Sequence, residues 1–117
     1  MSAGYHHFII EQGATFGQTL TLKDSSDTVI NLSGYASAEM DLRETPESSS
    51  TVITLTTANS RISLGGAAGT VTLSISAADT ANLTAGDGVY DLEVVDGSSG
   101  VYRILEGTYT IRRNISR

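Results

Sequence analysis

Apolar and polar residues alternate with a period of two along most of the chain. Over residues 15–22, Phe16, Leu20 and Leu22 fall on one side and Thr15, Thr19 and Thr21 on the other. Gln18 is a polar break in the inward row. This pattern predicts a half-buried strand. Over residues 35–43 the alternation returns, with Ala36, Ala38, Met40 and Leu42 against Ser37, Glu39, Asp41 and Arg43. The Ala, Glu, Met and Leu content would suit a helix. A helical face needs apolar spacings of three and four, however, and these sit at strict twos. Residues 70–75 put Val71, Leu73 and Ile75 inward. Residues 88–95 put Tyr90, Leu92 and Val94 on one face and Val89, Asp91, Glu93 and Val95 on the other. Extended runs at 28–32, 51–56, 61–64 and 101–111 complete the set.

Turn signals separate these runs. Residues 23–27 form a polar turn, Ser33-Gly34 punctuates, and the loop at 45–50 holds the only proline, Pro46. Asp96-Gly97-Ser98-Ser99-Gly100 reads as a hairpin connection in which Asp-Gly supplies the positive φ. Gly107 inside the last strand predicts a bulge or a close backbone approach. One helix is expected. Ser76-Ala77-Ala78-Asp79 has the form of a capping box, with Asp79 reaching back, and predicts about two turns over 77–83. So short a helix must be held by packing, expected from Ala78 and Leu83.

About eight short strands, spaced by turn signals, and one short helix predict an all-β fold, an immunoglobulin-like antiparallel β-sandwich. The 117 residues suit a single domain over 1–117. Residues 1–11 would be an N-terminal arm and 112–117 a basic C-terminal tail. Phe8 to Ile10 fit either the domain's own first strand or a strand added to a partner's sheet edge.

Composition narrows the chemistry. With no Cys there is no disulfide scaffold, thiolate site or Cys nucleophile. A net charge of −6 argues against a nucleic-acid partner. No apolar stretch approaches a membrane helix, and the N-terminus lacks a basic, apolar leader pattern, so cytoplasmic synthesis is expected. His6 and His7, adjacent on an extended segment, point to opposite sides and cannot readily share a metal. No metal, cofactor or catalytic activity is expected: there is no recognisable nucleophile–base context and no phosphate-cradling glycine motif. Asp91 and Glu93 lie two apart on one strand face. That spacing would suit a carboxylate pair or Ca²⁺, but a solvated face or ion pairs to a neighbour is the favoured reading.

Charge position is more informative than charge total. All 13 acidic residues lie at or before Glu106, and Arg112, Arg113 and Arg117 follow it. An acidic body with a basic end is self-complementary and points to contacts between copies in an assembly. The candidate contact residues are Tyr5, Phe8, Asp91, Glu93, Arg112, Arg113 and Arg117.

The order of motifs carries a resemblance. Phe16-Gly17-Gln18-Thr19-Leu20-Thr21-Leu22 is followed by Ile30-Asn31-Leu32-Ser33-Gly34-Tyr35 and Gly69-Thr70-Val71-Thr72-Leu73-Ser74. Asp79-Thr80-Ala81, Val89-Tyr90-Asp91-Leu92-Glu93 and Arg103-Ile104-Leu105-Glu106-Gly107-Thr108 complete it. This order resembles small virion proteins of tailed bacteriophages and prophages, and is similar in layout to the N-terminal β-sandwich domain of phage upper baseplate proteins. The resemblance implies a non-catalytic structural role in the virion, as a tail or baseplate adaptor between tail body and fibres. Its partners would be other phage structural proteins and copies of itself. The basic Arg112-Arg113 ending departs from the pattern. A capsid decoration (cement) protein is the alternative, and a carbohydrate-binding module a more distant one, since its five tyrosines are spread along the chain and it has no Trp.

Overall fold

A computed structural model of the chain describes residues 4–115. The strands are β1 (Gly4–Glu11), β2 (Phe16–Thr21), β3 (Tyr35–Arg43), β4 (Ile53–Thr56), β5 (Ile62–Leu64), β6 (Thr70–Ile75), β7 (Gly86–Asp96) and β8 (Val101–Arg112). One helix, α1 (Ala77–Ala81), joins β6 to β7. They form a five-stranded sheet, β1-β8-β7-β3-β4, and a three-stranded sheet, β2-β6-β5. The order is that of an immunoglobulin-like sandwich. The trio β2-β6-β5 stands as strands B-E-D and β8-β7-β3 as G-F-C, with β4 added beyond C. One pair departs from the antiparallel expectation: β1 runs parallel to β8. The chain crosses from β1 into the other sheet and returns to the first, so no hairpin constrains the direction of this pair.

The inward rows meet in a single core. Met40, Leu42, Leu55, Leu92 and Val94 from one sheet face Val71, Leu73 and Ile75 from the other, all at most 1% exposed. Burying each such side chain contributes about 1.5–3 kcal/mol. Phe8 sits among them, its ring 6.0 Å from that of Phe16 and 5.0 Å from that of Tyr90. Gly4–Glu11 is therefore an integral edge strand, with Phe8 and Ile10 buried, rather than a free arm.

Local expectations are corrected in three places. Residues 28–32 form no strand; a lone bridge joins Lys23 to Val29. The Asp24 carboxylate accepts from the N–H groups of Ser26 (2.8 Å) and Thr28 (3.1 Å), clipping the segment into a turn. The helix is shorter than expected, and Ala78 is exposed. Leu83 is buried as expected, and Thr80 is buried too, its hydroxyl donating to the Ala14 carbonyl at 2.8 Å. Ser76 does cap, accepting from the Asp79 N–H at 3.2 Å, but the Asp79 carboxylate turns instead to Arg61 at 2.8 Å. In the β7–β8 hairpin the positive φ (68°) falls on Ser99, not Gly97.

β8 also carries an irregularity of its own. The register slips at Leu92/Glu93, where Leu92 faces Leu105 and Glu93 faces Arg103. The extra residue is Ile104, and both Ile104 and Leu105 are buried. Gly107 serves close approach, one of its two expected roles: a side chain there would meet the His6 carbonyl oxygen of β1.

Candidate functional site

Side chains alternate across a strand, so the register fixes which residues remain outward on the five-stranded sheet. Between β3 and β7, Glu39 lies opposite Glu93 and Asp41 opposite Asp91. Between β7 and β8, Asp91 lies opposite Glu106 and Glu93 opposite Arg103. One outward row thus runs Tyr5, Glu106, Asp91, Asp41 and Thr54. The next runs Arg103, Glu93, Glu39 and Thr56. Of these, Tyr5, Asp41, Asp91, Glu93, Arg103 and Glu106 line a shallow trough of about 660 Å³.

Like charges directly opposite each other on a sheet destabilise it. Arginines offset part of this. Arg103 lies 3.2 Å from Asp91 and 4.0 Å from Glu106. Arg43 lies 3.5 Å from Asp41 and is also drawn to the Ser48 carbonyl at 3.1 Å. Among the described residues no ion pair reaches Glu39 or Glu93. Asp41 Oδ1 is buried without a hydrogen-bond partner. The Asp41 charge chiefly, then partial burial, pushes the Glu39 carboxyl above its ordinary value. The Glu93 charge opposite adds to this, against the pull of Arg43. The centre of the face is therefore crowded with negative charge.

The basic end lies elsewhere. Arg112 is on the same outward face, 3.3 Å from Glu11, with both side chains largely exposed. Glu106 and Arg112 are six positions apart on β8, about 20 Å at strand rise. Arg112 and Arg113 therefore do not meet Asp91 and Glu93 within one chain. Arg113 is exposed and, among the described residues, carries no ion pair. Arg117 lies outside the described residues. Tyr5 is 71% exposed at the end of the acidic row, whereas Phe8 is 1% exposed and offers no contact surface. Position near the N-terminus suggests a surface contact for Phe8, but its inward parity on β1 puts it in the core.

The two histidines do part to opposite faces. The His7 ring meets the hydroxyls of Thr108 (2.6 Å) and Thr110 (3.1 Å) outside. The His6 ring meets Gln18 at 3.2 Å on the inner side. Among the described residues no group of three or more His, Cys, Asp or Glu is placed to hold a metal ion. No described helix is long and apolar enough to cross a membrane. A second depression of about 280 Å³ lies beside Tyr109, lined by hydroxyls with Glu44 and Asp87. Its lining includes no His, Lys or Arg to act as a base or anchor an anion.

Sequence reasoning missed Glu39, Asp41, Arg103 and Glu106 as members of this site. Glu39 and Asp41 show outward parity in the sequence, but Arg103 and Glu106 share a face only through the bulge at Ile104, and only the cross-strand register places all four beside Asp91 and Glu93. The chain matches no family model and no curated protein sequence.

Proposed function

We propose that the protein is a non-catalytic structural component of a tailed-phage virion, a tail or baseplate adaptor working in a multi-copy assembly. The virion assignment rests on the motif order that resembles small virion proteins. The observation that supports an assembly role is the outward face of the five-stranded sheet. There Glu39 and Glu93 oppose each other and, among the described residues, neither is in an ion pair, while Arg112 lies about 20 Å along β8 from Glu106, with Arg113, also outside any such pair, next to it. Like-charge crowding weakens the free fold and is relieved when a basic surface docks. In this reading the acidic row of one subunit, Asp91 and Glu93 with Glu39 and Asp41, receives Arg112 and Arg113 of a neighbour. Tyr5 closes the rim. Such contacts set register and association rate more than raw affinity. A stable interface of this kind buries about 1,200–2,000 Å².

The test is to locate the protein in particles released by cells that encode it, using gold-labelled antibody. Label at the tail or its tip supports the adaptor role. Label over the capsid supports the cement alternative instead. Absence from particles overturns both. Replacing Arg112 and Arg113 with Glu should stop incorporation, and unchanged incorporation would remove these residues from the contact.

A further inference from the structure

We infer that two copies of this chain pair through their β1 strands, antiparallel about a two-fold axis at His7. This would join two five-stranded sheets into one. The inference does not rest on the virion reading and can be tested on the isolated chain.

The two edges of the five-stranded sheet are treated differently. The β4 edge is short, and its carbonyls are covered. Arg61 Nη1 (3.0 Å) and Asn59 Nδ2 (3.1 Å) donate to the Thr54 carbonyl, and the Arg61 N–H (3.2 Å) donates to that of Thr56. The β1 edge has eight residues, no proline, no lysine and one charged residue, Glu11, at its end. Natural sheets commonly blunt an exposed edge with such residues, a bulge or a covering segment, because an unguarded row of N–H and C=O groups templates another strand. Register along β1 and β8 is continuous from Gly4 to Glu11, so no bulge bends it.

Backbone direction defines what this edge can accept. In a parallel pair, alternate residues turn both main-chain groups toward the neighbour. Gln12 N–H donates to the Arg112 carbonyl at 3.0 Å, so even-numbered residues of this run face β8. Odd-numbered Tyr5, His7 and Ile9 then aim their N–H and C=O groups at the open side. At the end of the strand the Glu11 carbonyl, also odd-numbered, accepts from Ala14 in the turn at 3.2 Å, as this parity requires.

Antiparallel pairing places residues of like parity opposite each other. A two-fold axis at His7 sets His7 against His7 and each Tyr5 against the other copy's Ile9. All three residues have outward-aimed main-chain groups, which gives about six intermolecular backbone hydrogen bonds. Tyr5 and Ile9 are 71% and 53% exposed in the single chain. The pairing covers both, and aromatic–β-branched cross-strand pairs are favourable. No like charges meet in this register, since its paired side chains are Tyr, His and Ile with Gly4, His6, Phe8 and Ile10 on the inner side. The occupant that the edge fits is thus its own copy.

The chain has no cysteine, which makes a register-specific test direct. Residues facing across the axis in such a pair have Cα atoms about 5.5 Å apart, within disulfide reach of about 4.4–6.8 Å. On mild oxidation, His7→Cys should cross-link into a covalent dimer, while Tyr5→Cys and Ile9→Cys alone should not. In sedimentation across a concentration series, the parent chain should dimerise. Ile9→Lys should weaken dimerisation about tenfold or more, the equivalent of about 1.4 kcal/mol. Thermal melts matching the parent will show that these exposed substitutions leave the fold intact. A monomer at every concentration overturns the inference. So does a dimer that Ile9→Lys leaves unchanged, or equal cross-linking of all three cysteine variants. High salt separates this contact from the acidic-face contact: β1 pairing should persist, while the charge-based one should weaken.

Discussion

The two sheets of this sandwich share one core but differ in their outer faces. On the three-stranded sheet the outward positions carry hydroxyls in register: Thr19 opposite Thr72, Thr72 opposite Ser63, Thr21 opposite Thr70. The Thr19 and Thr72 hydroxyls lie 3.1 Å apart. On the five-stranded sheet the corresponding positions carry Glu39 against Glu93 and Asp41 against Asp91. A row of threonines suits an exposed strand and asks for no partner. Opposed carboxylates weaken the strand pair that holds them. The same alternation that builds the core thus produces one face indifferent to its surroundings and one that gains from a cationic neighbour. This difference is why the proposed contact is placed on the five-stranded face.

The comparison requires the inner sides to be equivalent, and the largest expected effects test that. Leu73 of β6 and Leu92 of β7 are both 0% exposed. Leu73→Ala and Leu92→Ala should each lower stability by about 2–5 kcal/mol in chemical denaturation. Similar losses would confirm a single core divided between the sheets. A loss under about 1 kcal/mol at either position would mean that one sheet is only loosely attached.

How far this difference could be read in advance depended on which relation carried it. Inward rows such as Met40 and Leu42, or Val71, Leu73 and Ile75, follow from period two alone, because alternation maps directly to a buried face. The exposure of Ala36 did not, because the β3–β7 register shifts between Tyr35 and Ser37. The placement of β1 beside β8 is a pairing between the two ends of the chain, and local pattern holds no record of it. Phe8 accordingly fitted a surface arm as well as the core. The acidic site was legible only by halves: Asp91 and Glu93 share a strand, but Glu39 and Asp41 join them through register. Gly107 marks the close approach while the bulge falls at Ile104, for a related reason. Glycine marks close approach and irregularity alike, and only the neighbouring strand decides between them.

The next largest effect is electrostatic and has a defined sign. The native state raises the Glu39 carboxyl pKa, chiefly through Asp41. The folded protein therefore binds a proton there more readily than the unfolded chain does. The penalty from its charge is present at neutral pH. It is relieved as pH falls through the raised native value, fully so near the unfolded value of about 4.3. Glu39→Gln should stabilise the protein at neutral pH by about 0.2–1 kcal/mol, at the lower end because the site is open to solvent. The advantage should shrink as the pH approaches about 4.3. Asp79 and Asp96 behave in the opposite way. Arg61 and the Ser76 hydroxyl hold the first below its ordinary value, and the Gly100 and Ser98 N–H groups hold the second. Their stabilisation is present above the unfolded value and is lost as pH falls through the lowered native values. Melting curves of parent and Glu39→Gln across this range isolate the Glu39 part, since both proteins share the aspartates. A variant less stable than the parent at neutral pH would refute the crowding.

The smallest expected effect is the most direct control on the other face. If the hydroxyl face is indifferent, Thr19 and Thr72 can lose their polar contact at little cost. Their hydrogen bond at 3.1 Å is solvent-exposed, and such bonds exchange with water for a small net gain. Valine keeps the β-branched shape that the strand favours. Thr19→Val and Thr72→Val together should therefore change stability by no more than about 0.5 kcal/mol, as surface substitutions commonly do. They should leave self-association unchanged as well, because neither residue lies on β1 or on the acidic rows. Arg103→Ala, an equally exposed change on the opposite face, removes the cation that lies 3.2 Å from Asp91. It should destabilise measurably more than the double valine variant, because it adds an unbalanced carboxylate to a row already short of positive charge. Equal responses on the two faces would mean that the charge pattern is ordinary surface, with no bearing on what the protein binds.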